Sequence, residues 1–263
     1  MSAAAVVVVG PDGVLDRFGP TDSVVGIASV TKLLVTVGVL IALEEGSLFL
    51  DDPAGPPGST IRHLLAHASG LPFEGGPPIA PPGTRRIYSN AGFDELGARL
   101  AGGTGLSAAT YLHEAVLEPL GMTSTELRGS PAKDGWSSVD DLASFTTELL
   151  HPRLVTAETL RVATTTAFPG LAGLLPGIGR MTPNDWGLGF ELRDNKVPHW
   201  TGARCSPRTF GHFGRSGGFL WVDPTVQLGI ACLTDRDFGA WSLGAWPALS
   251  DAVIDQWAER PLG

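Results

Sequence analysis

One apolar run, from Ile27 to Leu43, restricts what this chain can fold into. The run is shorter than the roughly 20 apolar residues that a membrane-spanning helix needs, and it contains Lys32. A helix that is hydrophobic on all sides is stable only where the rest of the protein covers it. The sequence therefore predicts a helix in the protein core and no membrane span.

The run starts with a Ser-x-x-Lys motif, formed by Ser29 and Lys32. In a helix, residues i and i+3 lie on one face, with Cβ atoms roughly 5–6 Å apart. Serine is a weak nucleophile that needs an adjacent base, and a lysine removed from water loses its proton more easily. The spacing predicts Ser29 as a nucleophile and Lys32 as its base.

A second Ser-x-x-Lys motif, Ser130 to Lys133, shows that the pattern alone is weak evidence. Gly and Pro residues surround this copy, and no apolar helix follows it. We interpret Ser130 as a turn residue.

Strand patterns occur at both ends of the chain, and helix patterns dominate its middle. The predicted strands are 4–9, 14–18, 186–192, 208–211, 219–223 and 227–234. After the core helix, helices are predicted from Thr60 to His67, Asn90 to Leu100, Ser107 to Leu117, Ser138 to Leu150, Thr156 to Thr165 and Trp246 to Glu259.

This order predicts an α/β fold of the α+β type, in which one antiparallel sheet is built from both chain ends and flanked by helices. We expect one catalytic domain over residues 1–263. Residues 1–46 and 186–263 would form its α/β part, and residues 47–185 would form an inserted, mainly helical part. The core helix would lie at their junction, where pockets tend to form.

The net charge of −9 argues against nucleic acid as a partner, because phosphate binding depends on clustered Lys and Arg. The basic doublet Arg85-Arg86 is interpreted as part of a solvated loop. The N-terminus lacks the basic residues of a signal peptide and is predicted to form the first strand. The expected location is cytoplasmic for the chain as given, or exported if a leader was trimmed.

Two further motifs carry polar groups that suit catalysis. Tyr88-Ser89-Asn90 presents a phenol that could move a proton, although Asn90 also suits a helix cap. His212-Phe213-Gly214 lies at a Gly-rich strand end, where backbone amides could face a developing oxyanion. The alternative for this second motif is a tight β-corner that simply needs glycine.

Two other patterns are less convincing. Residues 214–218 match the G-x-S-x-G nucleophile elbow, with Ser216 as its serine, but a strand rather than a helix is predicted next, and no histidine follows. His63 and His67 have a zinc-like i, i+4 spacing without a third ligand, so we expect them to make structural hydrogen bonds. No metal and no cofactor is implied.

In this order, the three motifs resemble those of the serine β-lactamase and penicillin-binding protein superfamily, most closely its class C-like branch. Four further stretches resemble the same branch, and the similarity spans nearly the whole chain; they are residues 61–72, 118–125, 137–145 and 186–190. The resemblance implies the β-lactamase/DD-peptidase fold.

The resemblance also implies roles for the motif residues. Ser29 would be acylated, Lys32 would accept its proton or activate it electrostatically, and Tyr88 would pass a proton to the leaving group. The division of the base role between Lys32 and Tyr88 stays open.

The remaining implied roles concern binding. Asn90 would touch the substrate amide, and the backbone amides of Ser29 and Arg215, next to Gly214, would form the oxyanion hole. His212 would occupy a cationic position that usually holds lysine, a change that fits esterases and peptidases. From position alone, Arg215 or Arg208 is a candidate to bind a substrate carboxylate.

The predicted function is a serine hydrolase that acts on a small ester, a D-amino-acid peptide or a β-lactam. Two alternatives stay open: a non-catalytic penicillin-binding or sensor module, and an acyltransferase that uses the same acyl-enzyme. The expected partner is a small-molecule or short-peptide substrate, and the sequence leaves the oligomeric state open.

Overall fold

The computed structural model describes residues 4–258. The strands are β1 (Ala4–Gly10), β2 (Gly13–Phe18), β3 (Val25–Gly26), β4 (Glu126–Leu127), β5 (Gly135–Ser137), β6 (Gly173–Leu175), β7 (Gly179–Met181), β8 (Glu191–Leu192), β9 (Phe210–Phe213), β10 (Phe219–Asp223) and β11 (Leu228–Thr234). The helices are α1 (Thr31–Glu44), α2 (Ile61–Leu65), α3 (Asn90–Thr104), α4 (Ala108–Leu112), α5 (Val139–Leu150), α6 (Ala157–Ala163) and α7 (Ser242–Trp257).

The main sheet has six strands in the order β2-β1-β11-β10-β9-β8, and every neighbouring pair is antiparallel. Strands β1 and β2 come from the N-terminal end of the chain, and the other four come from the C-terminal end. The prediction of an antiparallel sheet from both chain ends, flanked by helices, is confirmed.

Helices cover both faces of this sheet, which is why inner strands such as β10 and β11 are buried on both sides, whereas the edge strand β2 is half-buried or exposed. On one face, Val7 and Val9 of β1 join the core that contains α1, α3 and α5. On the other face, Val8 joins Trp221 and a core built with α7. The alternation follows from the two-residue period of a strand. Helix α5 comes from the middle of the chain and nevertheless packs against β1, β10 and β11.

The apolar run forms a core helix, as predicted, but with a different start. Residues Ala28–Val30 form a short 3₁₀ turn, and α1 begins at Thr31. All residues of α1 from Thr31 to Ala42 are buried, including Lys32. No helix in the described part of the chain is long and apolar enough to cross a membrane.

Several element boundaries differ from those predicted. Ser89, not Asn90, caps α3, since the Ser89 hydroxyl accepts a hydrogen bond from the Gly92 amide at 3.0 Å. Within residues 186–192 only β8 pairs as a strand, because the chain turns at Gly189 (φ 80°), where a Cβ would overlap Thr36 of α1.

Four helix ends and one strand also shift, and helix α3 runs on to Thr104, past the predicted Leu100. Helix α2 ends at Leu65, α4 gives way to a wider helical turn over His113–Leu117, and α6 ends at Ala163. Strand β9 runs from Phe210 to Phe213. Helix α7 begins four residues before the predicted start, while the predicted end at Glu259 lies outside the described residues.

The interpretation of Arg85-Arg86 as a solvated doublet is wrong for Arg86. Its side chain is buried and donates hydrogen bonds to four backbone carbonyls, at distances from 2.5 to 3.0 Å; these belong to Ala66, Ala167, Phe168 and Asn184. The guanidinium therefore ties three loop segments together beneath the chain that leads to Tyr88.

Candidate active site

Ser29 lies on the 3₁₀ turn in front of α1, where the backbone is held in an unusual conformation. The preceding residue, Ala28, has a φ of 44°, a region that non-glycine residues occupy only when the surrounding structure enforces it. The Ile27 amide binds the Gly135 carbonyl at 2.9 Å, and the Thr31 hydroxyl donates to the Ala28 carbonyl at 2.6 Å. These contacts fix the half-buried serine at the junction.

Lys32 is fully buried beside Ser29, as the motif spacing predicts. Its Nζ lies 3.4 Å from Ser29 Oγ, 2.7 Å from Asn90 Oδ1 and 2.8 Å from the Ala132 carbonyl oxygen. Burial lowers the pKa of Lys32 from its ordinary 10.5 to about 7, although nearby Asp94 and Glu74 oppose the shift. A substantial fraction of this amine is therefore neutral near pH 7.

Tyr88 completes a three-residue group with Ser29 and Lys32. Its hydroxyl shares a hydrogen bond with Ser29, and Lys32 Nζ lies 4.7 Å from the centre of its ring. Burial raises the pKa of Tyr88 well above its usual range, and the hydrogen bond with Ser29 only partly opposes this shift. The phenol therefore keeps its proton at neutral pH.

The buried His67 ring packs against the Tyr88 ring. The imidazole is buried, its Nδ1 accepts a hydrogen bond from the Ser89 amide at 3.2 Å, and its ring packs against Tyr88 and Trp186. His63 Nδ1 lies 3.0 Å from the Thr60 hydroxyl. Both histidines make the structural hydrogen bonds that the sequence predicted.

Asn90 joins the site at its base, through an interaction that the sequence did not reveal. Its Oδ1 accepts from Lys32, and its Nδ2 donates to Glu74 Oε1 at 2.9 Å. Glu74 also binds Lys133 at 3.2 Å. An exposed carboxylate is thus linked through one amide to the buried lysine, and nothing in the Pro/Gly-rich loop around Glu74 pointed to this role.

His212 lines the cleft but carries no positive charge. Burial, together with the nearby Lys32, lowers the pKa of His212 to about 3. Its Nδ1 donates to the Phe213 carbonyl at 2.7 Å, and its Nε2 has no partner among the described residues. The expected cationic role of His212 therefore does not fit the low pKa of its buried ring.

The backbone at Gly214 packs directly against the 3₁₀ turn that carries Ser29. A Cβ added at Gly214 would lie 2.6 Å from the Ile27 carbonyl oxygen and 3.3 Å from the Ser29 amide nitrogen. The next residue, Arg215, has an exposed side chain and lines the same cleft as Ser29. Arg208 lies in the turn before β9 and lines none of the cavities near Ser29, so it is not brought to the site.

Replacing Gly214 with alanine is expected to lower kcat for a small activated ester about 100-fold, because the turn that holds Ser29 must shift to admit the methyl group. Steady-state hydrolysis of 4-nitrophenyl acetate measures this change. Gly102→Ala in α3, where a Cβ meets open space, is the matched control. Wild-type turnover by Gly214→Ala would contradict the assigned contact.

Ser29 lines a cleft of about 270 Å³. Its walls bring together residues from both ends and the middle of the chain; among them are Ser29, Tyr88, Trp186, His212, Arg215 and Phe238. The cleft is therefore lined by one residue from each of the three motifs, Ser29, Tyr88 and His212, and Lys32 reaches it through its contact with Ser29.

The chain belongs to the Beta-lactamase family, whose sequence profile matches residues 1–252. Among solved structures, a beta-lactamase from Mycobacterium bovis is 54% identical, with a TM-score of 0.96 over 97% of this chain and 95% of that chain. The predicted membership of the serine β-lactamase and penicillin-binding protein superfamily is confirmed.

Two more distant relatives set limits on what the similarity shows. The D-alanyl-D-alanine-carboxypeptidase/endopeptidase AmpH of Escherichia coli is 31% identical over 175 residues, a match that covers 49% of this chain and 46% of AmpH. The chain thus spans about half the length of this relative. Simvastatin synthase from Aspergillus terreus shares the fold, with a TM-score of 0.81 at 18% identity, over 98% of this chain and 94% of that chain.

Proposed function

We propose that this chain is a serine hydrolase that forms an acyl-enzyme on Ser29 from an ester or amide and then hydrolyses it. One observation carries the proposal: the fully buried Lys32 amine, with a pKa near 7, lies 3.4 Å from Ser29 Oγ. A base with a pKa close to the working pH combines an available lone pair with a useful driving force for proton transfer.

In the first step, neutral Lys32 takes the proton of Ser29 while Ser29 Oγ attacks the acyl carbon. Tyr88 keeps its proton at neutral pH, so it suits proton donation to the leaving group and is then reprotonated from Lys32. This division of labour gives the base role to Lys32, a question that the sequence left open. In the second step water attacks the acyl carbon and gives its proton to neutral Lys32, the bond to Ser29 Oγ breaks, and Ser29 Oγ regains a proton as the acid leaves.

The negative charge that forms on the acyl oxygen needs hydrogen-bond donors. The backbone amides of Ser29 and Arg215 would supply them, because the chain at Gly214 lies against the Ser29 amide. Asn90 would position Lys32 rather than reach the substrate directly, since both ends of its amide are already bonded. His212 would offer a neutral ring nitrogen, and Arg215 would be the positive group nearest to an anionic substrate.

The proposed substrates are small esters, D-amino-acid peptides and β-lactams. The descriptions of the Mycobacterium bovis relative and of AmpH support the last two classes. The neutral His212 favours esters over substrates that need a second cation.

A labelling experiment tests the proposal. Incubation with a fluorophosphonate, followed by intact mass measurement and peptide mapping, should show one adduct per chain, located on Ser29. A panel of 4-nitrophenyl esters, nitrocefin and D-Ala-D-Ala peptides should then show steady turnover of at least one class. Labelling without any turnover would indicate a penicillin-binding or sensor module, and product partition on adding an amine or alcohol would indicate an acyltransferase.

The pH dependence of the free enzyme should report Lys32. We expect kcat/KM for 4-nitrophenyl acetate to rise with pH through a midpoint near 7, because only the unprotonated amine accepts the Ser29 proton. Below that midpoint the amine is protonated and activity falls. A midpoint near the ordinary lysine value of 10.5 would contradict the role of burial.

Glu74 provides a directed control for this profile. Its negative charge raises the pKa of Lys32, so Glu74→Gln should move the midpoint to lower pH. The exposed Glu118, on a different surface, is the matched site: Glu118→Gln should leave the midpoint in place.

A further inference from the structure

A second cavity, of about 580 Å³, adjoins the catalytic cleft. The two cavities share Phe73, Tyr88 and Pro176 as walls, so the larger space begins on the far side of Tyr88 from Ser29. We call this second cavity the annex; the residues that line it and not the cleft include Ile79, Arg85, Ile87, Leu174 and Arg180.

The walls of the annex are apolar and unusually exposed. The side chains of Phe73, Ile79 and Leu174 are 53%, 60% and 66% exposed. Large apolar side chains that cluster in this way beside a site mark a surface that binds something. Phe73 is also a wall of the catalytic cleft, so the annex and the cleft meet at an apolar side chain.

Three arginines line the annex, and two of them are available to a ligand. Arg85 and Arg180 are exposed, and neither guanidinium makes a hydrogen bond or ion pair with a described residue. Arg86, which also lines the annex, is not available to a ligand in the same way, because its guanidinium already donates hydrogen bonds to backbone carbonyls. In a chain of net charge −9, two unpaired guanidinium groups at the edge of one apolar cavity form a receptor for an anion, and carboxylates match their geometry.

We propose that the annex binds the part of the substrate that extends past Tyr88, and that this part is an apolar chain ending in a carboxylate held by Arg85 and Arg180. This inference rests on the proposed acyl-enzyme chemistry at Ser29. The carboxylate does not react, and its binding positions the ester at Ser29.

Two matched series of substrates test the inference and show which side of the ester enters the annex. The acyl series consists of 4-nitrophenyl monoesters of dicarboxylic acids with four to ten carbons, each paired with its uncharged terminal amide. The alcohol series consists of acetate esters of ω-hydroxy carboxylic acids, again paired with their amides. In one series, at intermediate chain length, kcat/KM should be about fivefold to tenfold higher for the carboxylate, the gain expected from two exposed ion pairs.

Variants locate the effect. The double variant Arg85→Gln/Arg180→Gln should abolish the preference for the carboxylate, and fluorophosphonate labelling of Ser29 in this variant shows that the protein is folded. Leu174→Asp, at an exposed annex wall, should make the amide the better substrate. Arg208→Gln, which removes an arginine outside both cavities, should leave the preference intact.

The outcomes separate this inference from the proposed function. Hydrolysis of 4-nitrophenyl acetate without a carboxylate preference in either series, or a preference that survives the double variant, would overturn the role of the annex alone. Absence of both ester hydrolysis and fluorophosphonate labelling would overturn the proposed function and this inference with it.

Discussion

Replacing Ser29 with alanine is expected to abolish covalent labelling and to reduce ester turnover on the order of 10⁵-fold, because no other group can form the acyl-enzyme. The Lys32 amine would remain in place through its bonds to Asn90 and the Ala132 carbonyl. Binding of substrate should therefore survive while the chemical step is lost. Intact mass after fluorophosphonate treatment and steady-state hydrolysis of a 4-nitrophenyl ester measure the two effects.

The chain supplies its own controls for this prediction. Ser130 has the same Ser-x-x-Lys spacing but lies in a turn, where its amide binds Asp134 and its lysine, Lys133, binds Glu74. Ser216 is the serine of the G-x-S-x-G pattern, and its hydroxyl is buried without a partner among the described residues. Ser130→Ala and Ser216→Ala should both keep the label and the turnover. If one of these variants lost the label while Ser29→Ala kept it, the serine replaced in that variant would be the nucleophile, and the assignment to Ser29 would be wrong.

The nucleophile and its base were predictable because their relation is local. Ser29 and Lys32 are three residues apart, and an apolar run can be stable as a helix only inside a core, so proximity and dehydration both follow from sequence. Most individual strands were predictable for a similar reason, since a strand pattern and its turn are short-range, whereas the pairing of β1 with β11 joins opposite ends of the chain and was inferred from the order of elements. The exact helix start was not, because the turn at Ala28 is imposed by contacts with Gly135 and Gly214, which are distant in sequence.

The charges of the site depend on tertiary burial, so the sequence could not supply them. His212 was expected to be cationic from the resemblance alone, whereas burial beside Lys32 keeps it neutral. Arg86 was predicted to be solvated together with Arg85, but it is buried and bonded to backbone carbonyls. Arg85, beside it, lines the annex. Glu74 reaches the site only because a Pro/Gly-rich loop folds over Asn90, a placement that no local pattern encodes.

A second buried charge cluster lies away from the nucleophile and is expected to dominate stability. Glu191 is fully buried, with Lys196 bonded to one carboxylate oxygen, and His199 and the Trp200 indole, both at 2.9 Å, bonded to the other. Lys196 also donates to the carbonyl oxygens of Asp185 and Leu192, each at 2.6 Å. Every strong donor and acceptor of the pair is satisfied, which is the condition under which a buried ion pair is tolerated.

Replacing Glu191 with glutamine should lower the free energy of unfolding by about 3–5 kcal/mol, because the Lys196 ammonium would stay buried without its counter-charge. Urea denaturation at neutral pH measures the loss. The double variant Glu191→Gln/Lys196→Met removes both charges and should recover part of the stability. Glu158→Gln, which breaks an exposed pair with Arg161, should show no measurable loss. A double variant no more stable than Glu191→Gln would contradict the explanation.

The same pair predicts how stability depends on pH. Burial acts to raise the pKa of Glu191, but Lys196 and His199 more than offset it and hold the pKa at about 2, below its ordinary 4.5. A carboxyl group whose pKa is depressed by folding stabilises the protein above pH 4.5, and that stabilisation disappears as the pH falls toward 2. Glu191→Gln has no carboxyl group to titrate at this position, so its stability should fall less steeply than that of the wild type between these values. Parallel slopes for the two proteins would show that other carboxyl groups set the acid sensitivity of the fold.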